Sequence, residues 1–393
     1  MRLSPDQMSA LKSATPLADF VGKRVKLGRA SAHGVRAGAC LCQPAKGKAP
    51  LWVNTSKQTW GCLKGDCGGD VIDYLRQVEG LDFAAAMRQL GGANVALDSD
   101  ALARAEADRE RRRREYAQRE GAQTTAERDA AASMWRTAKP APGSLVDLYF
   151  THRGLAPLAS PVLRFLPESP YFFLPDDADA PPVLVHSGPC MMAAITGPTG
   201  RFLGAHRTWL DPRLASGALP RDASGKADIR APGGEPLPAK KIRGRKSGGA
   251  IRLAEPTPGE GRVVLLLGEG VETTLTALQA CRAHGAPGTR FAAWAACDLT
   301  NLSGAGLGPS RPHPARPGRW IPSDEPDPKA PGVLPPAWAD IVVLLGDGDS
   351  DLHVTAARLE CARRRHVASG TRAVIAMAPA GSDFNDLARR VAT

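Results

Sequence analysis

Leu265-Leu-Leu-Gly-Glu269-Gly-Val-Glu-Thr-Thr-Leu275 and, further along, Val342-Val-Leu-Leu-Gly-Asp347-Gly-Asp349 decide the fold of this chain. Each is a short apolar run that ends in glycine and acid. A short apolar run bounded by turn residues reads as a buried strand. Two such runs, each with acid at its carboxyl end, read as neighbouring parallel strands, and open α/β sheets place their sites at that edge. Glu269, Asp347 and Asp349 would then converge. Residues two apart on an extended segment point the same way, which favours joint use of the two aspartates. Gly346 and Gly348 allow a tight turn and the close approach of a phosphate. Gly270 would open a helix carrying Thr273, Thr274 and Leu278, with its partly positive N-terminus beside an anion. Hard oxygen ligands of this kind suit Mg²⁺.

Other readings of these stretches fail on particular residues. Asp347-x-Asp349-x-Asp351 opens like an EF-hand loop, but Leu352 and Arg358 stand where that loop needs Gly and Glu. Gly268-x-Gly270 opens like a dinucleotide fingerprint, but Thr273 replaces its last glycine. Arg245 precedes Lys246-Ser247, so no Walker A loop forms there.

The chain has 393 residues, enough for two or three domains, with 43% hydrophobic and 23% charged residues. This is an ordinary globular composition. A formal charge of +11 and a pI near 9.5 favour an anionic partner, with nucleic acid first. Residues 221–252 hold nine Lys or Arg against three Asp or Glu, more than half of that excess. Such glycine-interleaved cations suit a phosphate backbone. No apolar run is long enough to cross a bilayer, and Met1-Arg-Leu-Ser-Pro-Asp-Gln7 lacks the apolar core of a signal peptide. The expected compartment is the cytoplasm.

Of eight cysteines, Cys40, Cys42, Cys62 and Cys67 cluster, while Cys190, Cys281, Cys297 and Cys361 are scattered. In a reducing compartment the cluster points to zinc and the scatter to core packing. Leu51–Asn54 and Gln58–Trp60 read as strands between the two cysteine pairs. Val71, Ile72, Leu75 and Val78 follow at helical spacing, then Phe83, Met87 and Leu90. His33 is an alternative zinc ligand. Residues 98–137 alternate in charge with few large apolar groups and read as a solvated helical linker. Residues 303–338, crowded with Pro and Gly, read as a surface loop between strands.

Leu17 to Leu27, Cys42 with Lys48-Ala-Pro50, Trp60-Gly-Cys62, Gly69-Asp-Val-Ile-Asp73 and Leu81-Asp-Phe-Ala-Ala-Ala86 together resemble the N-terminal zinc ribbon of bacterial and phage DNA primases. That family usually carries Cys-x-x-His and then Cys-x-x-Cys. Here Ala45 falls at the histidine position, Cys40 would supply that ligand, and the second pair is longer. The resemblance implies a ribbon that touches single-stranded template. Trp52, Trp60, Lys46, Lys48 and Lys57 would offer stacking faces and phosphate contacts.

The acidic stretches resemble the Toprim fold of primases, topoisomerases and some nucleases. Glu269 matches the family's glutamate, and Asp347 and Asp349 match its Asp-x-Asp. Gly381-Ser-Asp383-Phe-Asn385-Asp386 resembles a late element of phage and plasmid primases, which implies that Asp383 and Asp386 support the metal shell. His206-Arg-Thr-Trp-Leu210 and Gly248-Gly-Ala-Ile-Arg-Leu253 resemble the region before Toprim in mobile-element primases. That resemblance implies nucleotide and DNA contacts for Arg207, Lys240, Lys241, Lys246 and Arg252.

The expected architecture is α/β. A zinc-ribbon domain would cover residues 1–95 and a charged helical linker 96–140. A mixed α+β basic domain, 141–258, would pack on a parallel-sheet Toprim domain, 259–393. The expected activity is that of a DNA-directed primase, a nucleotidyltransferase making short RNA primers on single-stranded DNA from nucleoside triphosphates. It would use structural Zn²⁺ and catalytic Mg²⁺ or Mn²⁺. No helicase segment follows, so a separate replicative helicase is the expected partner, and no membrane is. The alternatives are a Toprim nuclease, which the ribbon disfavours, and a non-catalytic DNA-binding module of recombination type. A topoisomerase needs a nucleophilic tyrosine, and Tyr74, Tyr116, Tyr149 and Tyr171 all precede the acidic stretches.

Overall fold

Val263 to Leu267 and Val342 to Leu345 are strands, and the chain between and after them is built around that pair. The computed structural model describes residues 15–23, 25, 27–31, 34–37, 51–55, 58–62, 68–90, 111, 121–122, 124–175, 180–308, 310–316 and 319–391. These fall into two units, residues 1–123 with 172–183 and residues 124–171 with 184–393.

In the first unit, strands β1 (Leu27–Ser31), β2 (Gly34–Ala37), β3 (Leu51–Asn54), β4 (Thr59–Cys62) and β5 (Gly68–Gly69) form an antiparallel sheet in sequence order. Helices α1 (Leu17–Gly22), α2 (Val71–Gln77) and α3 (Phe83–Gln89) accompany it. Leu51 and Val53 alternate into a core shared with Trp60, Tyr74 and Leu75. Asp70 and Asp73 close a reciprocal capping box that starts α2. Both strands and both helices expected after the first cysteine pair are therefore present. Trp60 is not an open stacking face. It is 1% exposed, meets Tyr74 edge-to-face at 5.4 Å, and donates its indole N–H to the Asp70 carbonyl. Trp52 is half-buried, and its ring lies over Gly61, where a Cβ would stand 2.6 Å from it.

The second unit contains two five-stranded sheets. One has β6 (Lys139–Pro140), β7 (Leu163–Phe173), β8 (Val183–Thr196), β9 (Phe202–Trp209) and β12 (Lys240–Gly244), in the order β12-β9-β8-β7-β6. A small ladder of β10 (Ile229–Arg230) and β11 (Pro236–Leu237) precedes β12. A helix over 124–137, here α4, packs on this sheet through Ala131, Met134 and Trp135, so the end of the expected linker belongs to a core. Helix α5 (Leu145–His152), capped by Ser144, follows it.

The other sheet has β13 (Ile251–Ala254), β14 (Arg262–Gly268), β15 (Thr289–Ala295), β18 (Ile341–Gly346) and β19 (Arg372–Met377), in the order β13-β15-β14-β18-β19. All run parallel except β13. Helix α6 (Val271–His284) crosses from β14 to β15. After α7 (Leu299–Ser303) and β18, α8 (Leu352–Ala368) crosses to β19, and α9 (Phe384–Val391) closes the chain. β13 joins this sheet from within the stretch expected to be the middle domain, because Ile251 and Leu253 alternate into the shared core. Apolar residues of both sheets, α5 and α6 form one cluster, including Tyr149, Met191, Ile251, Leu266 and Leu275.

Past Ser303, residues 304–338 form the expected surface stretch between two strands, with most described residues exposed or half-buried. Their pairing is sparse, a ladder of β16 (Arg311–Pro312) with β17 (Trp320–Ile321) and a bridge of Gly306 with Pro326, and the stretch is docked on the domain. Arg365 of α8 is buried. It donates to the carbonyls of Ser303 at 2.8 Å, Ala330 at 3.0 Å, Asp327 at 3.0 Å and Ala305 at 3.4 Å. Arg358 reaches the Gly304 carbonyl at 3.2 Å. Proline removed the strand pairing, and arginine supplied the anchoring in its place.

Candidate active site

β14 and β18 are hydrogen-bonded neighbours, with Leu267 level with Leu344. The chain leaves β14 toward β15 on one side and leaves β18 toward β19 on the other. Their carboxyl ends are thus a topological switch point, where such sheets open a crevice. Glu269 follows β14 there, and Asp347 follows β18. Gly270 caps α6 without a side chain in the way. Thr273, one turn into α6, donates its hydroxyl to Asp347 at 3.1 Å. Gly348 donates to the Ser382 carbonyl at 2.9 Å, and Gly381 donates back to the Gly348 carbonyl at 2.8 Å. A Cβ at Gly348 would stand 2.2 Å from the Pro379 carbonyl oxygen, so the two turns can close only over glycine. That closure delivers Asp383 to the same crevice. Arg153 lies 4.0 Å from Asp383, and Asn385, buried, donates to the Arg153 carbonyl at 2.8 Å.

The crevice holds a cavity of about 200 Å³ lined by the carboxylates of Glu269, Glu272, Asp347 and Asp383 and by the cations Arg153, Lys226 and Lys240. Asp349 is exposed at the end of the Asp-Gly-Asp turn. Burial first, then Asp383, Asp349 and Glu269, together push the Asp347 carboxyl up to about 6 against the Thr273 hydrogen bond. Burial also raises Glu269, with Asp349 adding and Lys240 and Lys246 opposing. Among the described residues no three His, Cys, Asp or Glu side chains stand close enough together to hold a metal ion. The donor chemistry nonetheless fits a hard divalent cation: all donors are carboxylate oxygens, and their mutual repulsion is the charge such an ion would neutralise.

The cationic lining follows from strand period. In the antiparallel pair of β9 and β12, Lys240 is opposite Thr208 and Ile242 opposite His206, while Lys241 is opposite Arg207. Alternate residues face opposite ways. Lys240 and His206 therefore line the cavity, and Lys241 and Arg207 do not. Lys240 and Lys226 both pair with Glu272, at 3.2 and 3.3 Å, and Tyr149 donates its hydroxyl to the same carboxylate. Burial acts to raise Glu272, but Lys240, Lys226 and Tyr149 outweigh it and hold the carboxyl well below its usual range. Burial, with Lys240 next, lowers His206 to about 3, so its imidazole is neutral.

Comparison with known proteins bears on the N-terminal part first. Residues 3–105 match the CHC2 zinc finger family. This region is similar to the zinc ribbon of DnaG. Residues 125–253, which span the first sheet of the second unit, match a domain of unknown function, DUF7146. No curated protein matches. Among solved structures, the zinc-binding and RNA polymerase domains of the Aquifex aeolicus primase are similar at 14% identity and TM-score 0.32, over 99% of this chain and 83% of that one. A DNA primase domain from Pseudomonas aeruginosa gives 12% and 0.34 over 67% and 74%. A DnaG catalytic core gives 15% and 0.31 over 67% and 76%. These overlays are loose, and no residue correspondence is taken from them.

In the CHC2 zinc finger, Cys40, Cys42 and Cys67, the side chain of Cys62, and also His33, Lys46, Lys48 and Lys57, lie outside the described residues. Elsewhere the expected residues separate into two groups. Glu269, Asp347, Asp383 and Lys240 meet at the cavity, with Asp349 beside them. Asp386 does not line the cavity; its backbone N–H donates to Asp383 at 2.6 Å. Lys246 pairs with Asp298. The guanidinium of Arg207 lies over Trp209 at 4.8 Å, the ammonium of Lys241 over Tyr171 at 3.8 Å, and the guanidinium of Arg252 over Trp294 at 4.5 Å. Arg252 also donates to the Gly197 carbonyl at 2.8 Å. Sequence reasoning missed Arg153, Lys226 and the pairing role of Glu272. Glu272 carried a signal, as an acid in the first turn of a helix, but only the fold shows what it pairs with. Cys190 and Cys361 are buried and Cys281 and Cys297 half-buried, as the scatter implied.

Proposed function

We propose that this chain is a DNA-directed primase that joins ribonucleotides into short primers on single-stranded DNA. The observation that carries this is the cavity lined by both carboxylates and cations, set at a sheet switch point in a chain whose N-terminal part matches the CHC2 zinc finger family. Glu269, Asp347 and Asp349, supported by Asp383, would hold Mg²⁺ or Mn²⁺, which polarises phosphate oxygens and offsets charge on leaving pyrophosphate when bound. Thr273 fixes the rotamer of Asp347. Lys226 and Lys240, held side by side by Glu272, face the same cavity and favour an anionic triphosphate there. No side chain is assigned as general base, so positioning of the primer 3′-hydroxyl against the α-phosphate carries the rate. Arg207, Lys241 and Arg252, facing away from the cavity, and Lys246, paired with Asp298 and close enough to act on Glu269, are left to the DNA strand, and Asp386 to support of Asp383. The zinc ribbon would contact template, and a separate replicative helicase would deliver it. No helix of the described residues is long and apolar enough to cross a membrane.

The test is incubation of the protein with single-stranded DNA, Mg²⁺ and labelled ribonucleotides without a primer. New oligomers that are absent with Asp347→Asn support the proposal. Shortened template would support a nuclease instead, and binding with neither product would support a non-catalytic module.

A further inference from the structure

The segment Arg311-Pro-His-Pro-Ala-Arg316, returning through Arg319-Trp-Ile321, carries three arginines and no acid. It forms the β16–β17 ladder, in which Pro312 is opposite Trp320 and Arg311 is opposite Ile321. The two faces of this ladder differ. His313 and Ile321 are 7% and 2% exposed and face inward, whereas Trp320 is 57% exposed and Pro312 is exposed beside it. The inward face is anchored at one place. His313 Nε2 lies 3.0 Å from both oxygens of Asp351, Arg316 lies 3.0 Å from Oδ2 of that carboxylate, and His353 meets the His313 ring edge-to-face at 4.9 Å. Asp351 caps α8 and sits two residues beyond Asp349. The hairpin is thus fastened to the Asp347–Asp351 turn, beside the cavity. Arg311 and Arg319 are exposed and make no ion pair among the described residues.

By register Arg311 and Arg319 hold positions on the His313 and Ile321 side of the ladder, yet both reach solvent. An exposed indole on one face of a two-stranded ladder, with two solvent-reaching guanidinium groups at its edges, is chemistry for an unpaired nucleic-acid strand. Indole stacks any base, and guanidinium meets phosphate. We infer that the β16–β17 hairpin is a second contact for single-stranded nucleic acid, with Trp320 stacking a base and Arg311 and Arg319 meeting phosphates of a strand that passes the cavity. The contact itself needs only an unpaired strand; its assignment to template or primer rests on the primase reading.

The test uses the full chain and a fluorescent single-stranded oligonucleotide, with affinity read by anisotropy across a salt series. Trp320→Ala should weaken binding about tenfold, as the loss of one stacked base does, and leave the salt slope unchanged. The double variant Arg311→Ala/Arg319→Ala should flatten the slope of log affinity against log salt by about 1.4, two phosphates' worth for single strands. Arg311→Lys/Arg319→Lys should keep the slope, and circular dichroism checks that each variant folds. Wild-type affinity and slope in both the Ala variants overturn the inference; a surface made for an acidic protein would give that result too. If the wild type makes no primers but the variants change as stated, the primase reading fails and the hairpin contact stands. If primers are made and the variants bind as wild type does, the contact fails alone.

Discussion

Glu272 and Asp347 face the same cavity under opposite electrostatic conditions. Glu272 is 5% exposed, yet Lys226, Lys240 and Tyr149 hold it ionised. Asp347 has a hydrogen bond from Thr273, but burial first, and then the carboxylates of Asp383, Asp349 and Glu269, raise its affinity for a proton. A carboxylate that the fold needs for itself arrives with its counter-ions. One that is meant for something absent from the chain is left short of them. The same distinction separates Lys240, spent on Glu272, from Arg311 and Arg319, spent on nothing within the described residues.

If that contrast is right, Glu272→Gln should do most damage to the fold. Two half-buried ammonium groups would lose the buried carboxylate between them, and breaking a fully buried pair costs about 3–5 kcal/mol, which is the upper bound here. Urea denaturation measures this, and a small loss would mean that the lysines find water instead. Asp347→Asn should do the reverse. Primer synthesis should fall about 10²–10³-fold, the scale of losing one electrostatic stabiliser, while the melting temperature holds or rises. The sign follows from the raised carboxyl: ionised Asp347 opposes folding at neutral pH, so removing the charge relieves it. Next, Mg²⁺ at about a hundred times its dissociation constant should stabilise the wild type by about 2.7 kcal/mol and leave Asp347→Asn unmoved, read by thermal melting. An equal gain in both proteins would put the ion elsewhere.

The smallest effect belongs on the surface of α8. Arg363, then Arg364, pull Glu360 down to about 2. A lowered carboxyl contributes stability above the ordinary glutamate range and loses it as pH falls toward the folded value. Glu360→Gln should therefore cost less than about 1 kcal/mol at neutral pH, and its gap to wild type should close as pH drops from about 4 toward 2, followed by denaturant midpoints.

The carboxylate edge was legible because its signal is local: a strand-length apolar run, a glycine and an acid sit together in sequence. Two of the five described strands of the first unit and two of its three described helices were legible for the same reason. The cationic lining was legible only as a count. Residues 221–252 are visibly basic, but composition does not say which of Lys240 and Lys241 faces inward; that depends on the register of β12 against β9. Arg153 and Lys226 carry no motif and reach the cavity only through the packing of both sheets. Residues 304–338 were legible as a loop because proline shows where ladders end, but its anchoring was not, because that lies in Arg358 and Arg365, far along the chain.

Arg365 makes that stretch inseparable from the domain beneath it. Its guanidinium has backbone oxygens and no acid around it, so its solvation is supplied by the very residues that look expendable. Trimming the proline-rich stretch to a short connector would not yield a leaner version of the same protein. It would leave a permanent cation in an apolar interior with nothing to replace water, and α8, which carries that arginine and starts beside the Asp-Gly-Asp turn, would be the first element to give way.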